Sequence, residues 1–500
     1  MLLPIILAVP LTAAAAAFVS PRRAWMELVN VVASLVTLAL SILLVAQVLE
    51  WTTISTWEAV LYADSLSALV MLLTSFVYAA CTIYAIGYFR HDEQSDVFTD
   101  ETGGATDPLP KLRKYYSLTP LFVFAMALVV LTNNLGIMWV AIEATTLATI
   151  FLVTFYDRAT SLEAAWKYAI IGGVGLSMAL FGTILTYYSA HAVTATETLA
   201  GLNWSTLAGQ AAQFDKTTMR LAFILILLGY GTKAGLAPMH TWKPDVYSEA
   251  PVPVAALLAA ALLNCALYGL IRFFILAAKC LGPEFASGLL ILFGLLSMGI
   301  AVPFILAQRS FRRILAYSSI DHGGIMVLGI GFGGPLGALG ALLHMTFHSV
   351  TKPLLFFSAG NVQQHLKTDL FRKTGGGLIH TMPVTGVVFL MSMLAVTGSP
   401  PFSIFQSEFT ILRAAFNRGQ VGPAILFVLF LVAIFAGFLV HIARMVLGPD
   451  PGHEKADLGP YKKYSLIGLS AVVLVLGFWL PAPLFELVRR AAAMIAEVHP

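Results

Sequence analysis

Residues 219–240 read MRLAFILILLGYGTKAGLAPMH. This run is long and apolar enough to cross a membrane, because a spanning helix needs about 20 mostly apolar residues. Two features interrupt it: the cation Lys233 and the sequence Gly235-Leu-Ala-Pro238. Proline removes a backbone donor and breaks a helix, and lipid tolerates such a break only where protein or a water-filled cavity satisfies the freed groups. The stretch therefore predicts a broken membrane helix, a feature typical of transport sites.

The composition of the whole chain agrees with a membrane protein. Of its 500 residues 58% are apolar and 11% are charged, whereas soluble domains carry roughly 25% charged residues. The 29 basic and 26 acidic residues nearly balance, so the charge indicates neither a nucleic-acid partner nor an acidic disordered tail. The three cysteines form no CxxC pair, which argues against a metal cluster, a redox dithiol or a disulfide framework. We expect membrane proteins and lipid as partners, and no cofactor or metal.

Fourteen stretches of the sequence are long and apolar enough to span a membrane. We therefore expect an all-α polytopic membrane protein whose residues 1–500 form a single membrane domain. The opening run lacks a positively charged start, so we interpret it as a spanning helix and not as a signal peptide. The predicted spans lie near residues 2–20, 26–48, 61–89, 117–132, 134–156, 164–189, 219–240, 250–278, 286–308, 312–331, 335–361, 383–414, 421–446 and 465–489.

A second broken helix is predicted in the twelfth span, at Gly398-Ser-Pro-Pro401. The two breaks lie five spans apart, an odd offset that is expected if two five-helix repeats have opposite topologies. The predicted units are helices 1–3 (residues 1–90), inverted repeat A (residues 117–278, helices 4–8), inverted repeat B (residues 286–446, helices 9–13) and helix 14 (residues 465–489).

The distribution of basic residues predicts an orientation in the membrane. When the loops are assigned alternately to the two sides, most of the 29 lysines and arginines fall on one side. The positive-inside rule makes that side cytoplasmic. Since the number of spans is even, both termini would face the outer, periplasmic side of a prokaryotic inner membrane.

Several ionisable side chains lie inside or at the rim of the predicted spans. A charged group at the centre of a membrane helix costs at least about 2.5–3.5 kcal/mol, so a set of them in one chain indicates a function. We expect them to face the interior of the bundle and to meet one another. The main candidates for proton translocation are Glu143, Lys233, His344, His348, Lys352 and Glu408, with Asp64 and Lys167 as secondary candidates.

Spacing and position leave some alternatives open. His344, His348 and Lys352 recur every four residues, which places them along one face of span eleven about 6 Å apart. The HExxH zinc motif is absent there, and no carboxylate or thiolate is near enough in sequence to complete a metal site. Asp64 could instead cap span three, and Lys167 could extend to the membrane interface.

A buried pair of Glu143 and Lys233 suggests a mechanism. Burial disfavours a charged side chain and a nearby opposite charge favours it, so a pair that opens and closes takes up and releases a proton. Histidines both accept and donate near neutral pH, and they could pass that proton on to Glu408. A purely structural pair is the alternative. Moving one charge against the membrane potential requires about 2.3 kcal/mol per 100 mV, and no motif here supplies that energy, so a partner or another ion gradient must.

At these same residues the chain resembles the antiporter-like family that includes the proton-pumping membrane subunits of respiratory complex I, the Mrp-type cation/proton antiporter subunits and the membrane subunits of group 4 hydrogenases. The resemblance covers nearly the whole chain. Its motifs are Glu143 in its apolar helix, Lys233-Ala-Gly-Leu-Ala-Pro-Met-His240-Thr-Trp, Glu249-Ala-Pro-Val-Pro-Val, Arg312-Arg-Ile-Leu-Ala-Tyr-Ser-Ser319, His344 to Gly360 and Pro400-Pro-Phe-Ser-Ile-Phe. Within the family, Trp139-Val-Ala-Ile-Glu143-Ala-Thr-Thr and Ala165-Trp-Lys167-Tyr look most similar to the F component of hydrogenase-4.

The resemblance implies fourteen helices, two inverted five-helix repeats and a central polar axis through the candidate residues. It adds His240, which lies in the motif after Lys233, as a secondary candidate. The family's lysine in span eight is Asn264 here, which leaves a gap between Lys233 and the histidines of span eleven. Water or His322 would have to bridge that gap, so Asn264 and His322 are further secondary candidates.

Three functions remain open from the sequence. The first is a proton-translocating subunit of a redox-driven complex, hydrogenase-4-like or complex I-like, with other antiporter-like membrane subunits and a peripheral redox arm as partners. The second is a subunit of an Mrp-type cation/proton antiporter that uses a sodium gradient. The third is a structural remnant that anchors a complex without conducting ions. We expect the first, in which case the redox chemistry belongs to the complex and not to this chain.

Overall fold

The protein is almost entirely helical. The computed structural model describes residues 1–94, 107–191, 199–449, 452, 454–456 and 458–498. Besides its helices this part of the chain contains a short two-stranded hairpin. Eleven helices among the described residues are long and apolar enough to cross a membrane, and the all-α polytopic membrane fold is confirmed. The number of fourteen spans stays a prediction.

The first part of the chain forms one helix for each of the first six predicted spans. They are α1 (Leu2–Val19), α2 (Arg23–Trp51), α3 (Ser65–Gln94), α4 (Leu109–Leu131), α5 (Leu135–Val153) and α6 (Ala159–Ala190). Strands β1 (Ile54–Thr56) and β2 (Leu61–Ala63) pair antiparallel before α3. The expected start of span three at residue 61 is therefore wrong. The helix begins after Asp64, because that carboxylate accepts the backbone N–H groups of Leu66 and Ser67 and caps it.

The middle of the chain contains both long and very short helices. They are α7 (Trp204–Gln210), α8 (Lys216–Ala234), α9 (Trp242–Glu249), α10 (Val252–Leu257), α11 (Leu263–Leu281), α12 (Pro283–Leu306), α13 (Phe311–Phe332), α14 (Gly334–Leu366), α15 (Phe371–Thr374) and α16 (Leu378–Thr381). A π-helical turn, Leu258–Leu262, joins α10 to α11, so the two run as one long helix.

The last part of the chain differs from the sequence expectation at its end. Its helices are α17 (Pro383–Val396), α18 (Ser403–Asn417), α19 (Val421–Phe438), α20 (Arg444–Leu447), α21 (Gly459–Phe478) and α22 (Ala482–Ala496). A π-helical turn, Leu439–Ala443, joins α19 to α20. The stretch expected as one helix over residues 465–489 is divided between α21 and α22. The backbone is extended at Trp479, and Pro481 disfavours helical geometry at the residue before it.

Both predicted helix breaks are present. The first separates α8 from α9 at Gly235, which has a left-handed backbone with φ of 73°. The second separates α17 from α18 at Gly398, with φ of 67°. A residue with a Cβ rarely adopts this conformation, so glycine is suited to end a helix at both places.

Protein groups satisfy the backbone at the first break. The Ala237 N–H donates to Ser297 Oγ of α12 at 2.9 Å. The Trp242 side chain donates through Nε1 to the Thr232 carbonyl at 2.9 Å. An interrupted helix in lipid requires such partners, and here they come from a neighbouring helix and from the half-helix that follows the break.

A matching local structure recurs at corresponding places in the two predicted repeats. Asn134 precedes α5 and Ser310 precedes α13, and each caps its helix through its side chain. Each also forms an isolated antiparallel bridge with the segment that follows the next long helix, Asn134 with Asn203 and Ser310 with Leu370. Because α5 and α13 are the second helices of the two predicted repeats, the correspondence supports them. The repeat boundaries stay a prediction.

Glycines bring α6 and α8 into close contact. A Cβ added to Gly229 would lie 2.5 Å from Ala179 Cβ, and a Cβ added to Gly175 would lie 2.5 Å from Thr232 Cβ. Small residues at membrane helix interfaces allow backbones to approach in this way. The contact places the end of α8, including Lys233, directly against α6.

We expect Gly229→Val to destabilise the protein, because the added side chain would collide with Ala179 on α6. Overpacking of this kind costs about 1–3 kcal/mol of unfolding free energy. The matched control is Gly173→Val on the same helix pair, since a Cβ at Gly173 meets no atom within 4 Å. The measurement is the thermal unfolding midpoint in mild detergent, followed by tryptophan fluorescence. Equal midpoints for the two variants would contradict the close contact.

Candidate functional site

Lys233 lies buried where three helices meet. Its ammonium donates to Thr146 Oγ1 of α5 at 2.7 Å and to the Tyr168 hydroxyl of α6 at 2.8 Å. Nζ also lies 5.0 Å from the centre of the Tyr168 ring. Thr149 donates to the same hydroxyl at 3.1 Å. Neutral oxygens and an aromatic face therefore stabilise this lysine.

Glu143 does not pair directly with Lys233. No ion pair between described residues joins them, so the structure does not bring the two side chains of the expected pair into contact. Thr146 makes the contact with the lysine instead, and it lies on the same face of α5 as Glu143, three residues further on. The Glu143 residue is partly exposed, but its Oε2 atom is buried and has no hydrogen-bond partner among the described residues.

Three histidines form a buried cluster between α13 and α14. His322 Nδ1 and His344 Nε2 are 2.8 Å apart, and the rings of His322 and His348 have centres 4.9 Å apart. His344 Nδ1 lies 3.0 Å from Ser407 Oγ on α18. Within the described residues neither ring nitrogen of His348 has a hydrogen-bond partner. The predicted face of α14 is present, and His322 completes it from the neighbouring helix.

Lys352 continues this face of α14. It is fully buried, and its ammonium donates to the Leu315 carbonyl at 3.1 Å and to Ser318 Oγ at 2.9 Å, both on α13. Asp321 on α13 is also buried and interacts electrostatically with both Lys352 and Glu408. Asp321 was not predicted from the sequence, although it is an ionisable residue inside a predicted span, as the other candidates are.

Glu408 lies just after the second break. Its carboxylate packs against the Cα of Gly398, in the space that a Cβ would occupy. The residue also lines a cavity of about 390 Å³ that is open to the outside of the chain and is otherwise mostly apolar. Exposed Phe405 and Phe409 form part of its wall.

Lys243 is the residue after the first break that corresponds to Glu408 in position. Lys233 precedes its break whereas Glu408 follows its own, so those two residues do not occupy equivalent positions. Lys243 follows the first break and packs against Gly235 as Glu408 packs against Gly398. The sequence interpretation missed it because it lies between the spans predicted at 219–240 and 250–278.

Asn264 lies next to α14, and His240 lies next to α13. The Asn264 amide donates to Ser349 Oγ at 2.7 Å, so it contacts α14 beside His348, and its Oδ1 atom has no partner among the described residues. The buried His240 ring has its centre 6.4 Å from that of Tyr317. Asn264 supplies a hydrogen bond at the predicted gap but no titratable group.

Asp64 lies apart from these residues, in a buried ion pair. Arg272 of α11 donates to its two carboxylate oxygens at 2.7 and 2.8 Å, and both side chains are 2% exposed. The Arg272 guanidinium also stacks 4.1 Å from the Trp204 ring centre. Asp64 caps α3 as the alternative interpretation expected, and it joins α3 to α11.

Lys167 is a surface residue. It pairs with Glu163 at 2.7 Å and with Asp245 at 3.0 Å, and its side chain is 45% exposed. Asp245 in turn pairs with Arg313 at 2.8 Å. These contacts join α6, α9 and α13 at the surface. Lys167 therefore lies outside the group of buried ionisable residues, as its alternative interpretation, an extension to the membrane interface, expected.

These interior groups, of which Glu143 is partly exposed, form two clusters. We call Glu143, Thr146, Tyr168 and Lys233 the lysine cluster, and His322, His344, His348, Lys352 and Glu408 the histidine cluster. The hydrogen bonds that these residues make with one another and with Ser318 and Ser407 measure 2.7–3.0 Å, which suits proton exchange between amines, hydroxyls and imidazoles. In the described part of the chain, no group of three or more His, Cys, Asp or Glu side chains is arranged to hold a metal ion.

The fold and the two clusters define a polytopic membrane protein with a titratable interior. The chain belongs to the NADH:quinone oxidoreductase/Mrp antiporter transmembrane family, whose model matches residues 132–437. All six main candidate residues lie within the matched region. The predicted family is thereby confirmed.

Three proteins illustrate what this chain is similar to. It is 37% identical over 434 residues to the hydrogenase-4 component F homolog of Methylacidiphilum infernorum, which covers 86% of this chain and 88% of that protein. A chain of the membrane-bound sulfane sulfur reductase, an archaeal respiratory membrane complex, matches its fold with a TM-score of 0.86 at 24% identity, over 99% and 98% of the two chains. A chain of the Mrp complex from Dietzia sp. DQ12-45-1b matches with a TM-score of 0.84 at 22% identity, over 99% and 97%.

We expect Arg272→Met to destabilise the protein strongly, because it leaves the buried Asp64 carboxylate without its partner. Breaking a buried ion pair on one side costs about 3–5 kcal/mol. The double variant Asp64→Asn with Arg272→Met should lose less, since no charge stays buried. Lys167→Met, at an exposed ion pair, should change the stability little. Chemical denaturation in detergent measures all three, and an Arg272→Met variant as stable as Lys167→Met would refute the structural role.

Proposed function

We propose that this chain is a proton-translocating, antiporter-like membrane subunit of a redox-driven complex of the hydrogenase-4 or complex I type. The observation that carries the proposal is the set of buried titratable groups on both sides of the first helix break, from Lys233 to Glu408. Burying so many ionisable side chains is costly unless they have a function. The similarity to a hydrogenase-4 component F homolog supports the choice of complex.

The contacts suggest the order in which a proton would travel. Hydrogen bonds to Thr146 and Tyr168 stabilise the protonated amine of Lys233. Reorientation of the Glu143 carboxylate, three residues before Thr146, would change the electrostatic stabilisation of the lysine charge. In the histidine cluster, His322 and His344 exchange protons directly, and Ser407 extends that contact to α18, which carries Glu408. Each imidazole has two nitrogens, so it accepts on one and donates from the other.

The energy for uphill transport has to come from outside this chain. Each charge moved against the membrane potential needs about 2.3 kcal/mol per 100 mV. We therefore infer other antiporter-like membrane subunits and a peripheral redox arm as partners. The partly exposed Glu143 and the open cavity beside Glu408 support neighbours at both ends of the polar axis, and the structurally similar chains belong to membrane complexes.

We further infer that the two five-helix repeats have opposite topologies and that both termini face the outer side of a prokaryotic inner membrane. The recurring caps and bridges at α5 and α13 support the repeats. The excess of basic residues on one predicted side supports the orientation.

A subunit of a cation/proton antiporter is the second candidate function. The likeness in fold to a chain of the Mrp complex favours it. In that case a sodium gradient would drive the same proton steps, and the redox arm would not be needed.

Reconstitution distinguishes these functions. We expect the full chain, purified with its native membrane partners and placed in vesicles, to conduct protons when a potassium diffusion potential is applied. An enclosed pH-sensitive dye reports the flux, with and without sodium. Flux that is independent of sodium agrees with the proposal, and flux that requires sodium would indicate an antiporter. An assembled complex without any flux above empty vesicles would refute both and leave an anchoring role.

We expect Lys233→Ala and Glu143→Gln each to reduce this flux at least about tenfold while the complex stays assembled, since a barrier increase of about 1.4 kcal/mol is enough for that. Lys233→Ala removes the amine that holds the proton, and Glu143→Gln removes the negative charge that stabilises the charged form of that amine. Lys167→Ala is the control, because that lysine is exposed on the adjoining helix. Wild-type flux in both cluster variants would refute the role of the lysine cluster.

A further inference from the structure

Lys243 is a buried lysine that has no acidic partner in the described part of the chain. It lies in the first turn of α9, its residue is 1% exposed, and no ion pair among the described residues includes it. A buried cation is costly, and a neutral side chain of similar size would fill the same space at lower cost. The position therefore calls for an explanation beyond packing.

The amine of Lys243 connects the broken helix to α13. It donates to the Ala234 carbonyl at 2.5 Å, at the end of α8, and lies 3.4 Å from the Ser319 carbonyl. Carbonyls at a helix C-terminus lack helical partners and carry partial negative charge, so they favour a cation there. Ala234 follows Lys233 directly in the chain, so the Lys243 amine binds the backbone next to the residue whose amine belongs to the lysine cluster.

The same amine also approaches the histidine cluster. Ser319 follows Ser318, whose hydroxyl accepts from Lys352, so the two lysines reach adjacent residues of α13. Lys243 interacts electrostatically with both His348 and Lys352. Its two carbonyl partners therefore belong to the residue after Lys233 and to the residue after Ser318, the hydroxyl partner of Lys352.

We propose that Lys243 carries protons between the two clusters. This inference rests on the proposed proton-translocating function. In the transfer, the N–H bond at Lys233 Nζ breaks and one forms at the neutral Lys243 amine, directly or through intervening water. The Lys243 amine then gives its proton to a ring nitrogen of His348 or to neutral Lys352. Lys233 is neutral and the acceptor is cationic after these steps, so one positive charge has crossed the break.

Neutral oxygen partners make this exchange feasible. The Ala234 and Ser319 carbonyls accept hydrogen bonds from either the ammonium or the neutral amine. When Lys243 loses its proton, no counter-charge is left unpaired in the interior. A carboxylate partner would instead favour the charged form and hold the proton in place.

The test uses the full chain with its native partners in sodium-free vesicles, under a potassium diffusion potential. We expect Lys243→Met to reduce proton flux at least about tenfold. Lys243→Arg should reduce it similarly, because arginine keeps the charge and the hydrogen bonds but does not release its proton. Lys463→Met, at an exposed lysine, is the matched control and should conduct like the wild type.

A rescue variant separates proton transfer from structural support. Adding Asn264→Lys to Lys243→Met places an amine beside Ser349, next to His348, and should restore a substantial part of the flux. Size-exclusion profiles of all variants establish that they are folded and assembled.

Each outcome decides between the two proposals. Wild-type flux in Lys243→Met or in Lys243→Arg would overturn the role of Lys243 and leave the proposed function intact. Absence of flux in the wild type would overturn the proposed function and this inference together. Loss of flux in Lys243→Met without rescue by Asn264→Lys would indicate a structural role and would also overturn the inference.

Discussion

The cost of burying charge in a membrane protein decides how this interior is built. Arg272 is neutralised by Asp64 at 2.7 Å, and such a pair is stable only while both members stay charged. The buried lysines Lys233, Lys243 and Lys352 have hydroxyls and carbonyls as hydrogen-bond partners instead. A lysine held by neutral oxygens can lose its proton without leaving an uncompensated charge. The same chain thus contains a fixed ion pair and a set of groups suited to exchange.

The helix breaks supply part of this environment. Ending α8 at Gly235 leaves carbonyls without helical partners, and one of them, that of Ala234, accepts from Lys243. At the second break the missing Cβ of Gly398 makes room for the Glu408 carboxylate. Interrupted backbone therefore has two effects here: it supplies acceptors, and it lets an acidic side chain approach the helix axis.

The sequence predicts the fold well and the contacts within the site less well. Apolar runs, Gly235 and Gly398 are local signals, and they predict the membrane fold and both breaks. The contact of Lys233 with Tyr168, and that of Asp64 with Arg272, join residues far apart in sequence, and no periodicity indicates them. Lys243 was not predicted because it follows the break and lies beyond the apolar run of residues 219–240. Asp321 could have been predicted, because it is ionisable and lies inside a predicted span.

The cavity beside Glu408 has a consequence for how the complex is assembled. Its opening leads from a titratable carboxylate to the outer surface of the chain, between exposed aromatic rings. On the proposed proton path, a chain inserted ahead of its neighbour would have Glu408 open on this side, and protons that reach it would leave the path there. If a neighbouring subunit covers this opening in the complex, as proposed, it would have to do so before transport begins, and the order of subunit insertion would then affect energy conservation.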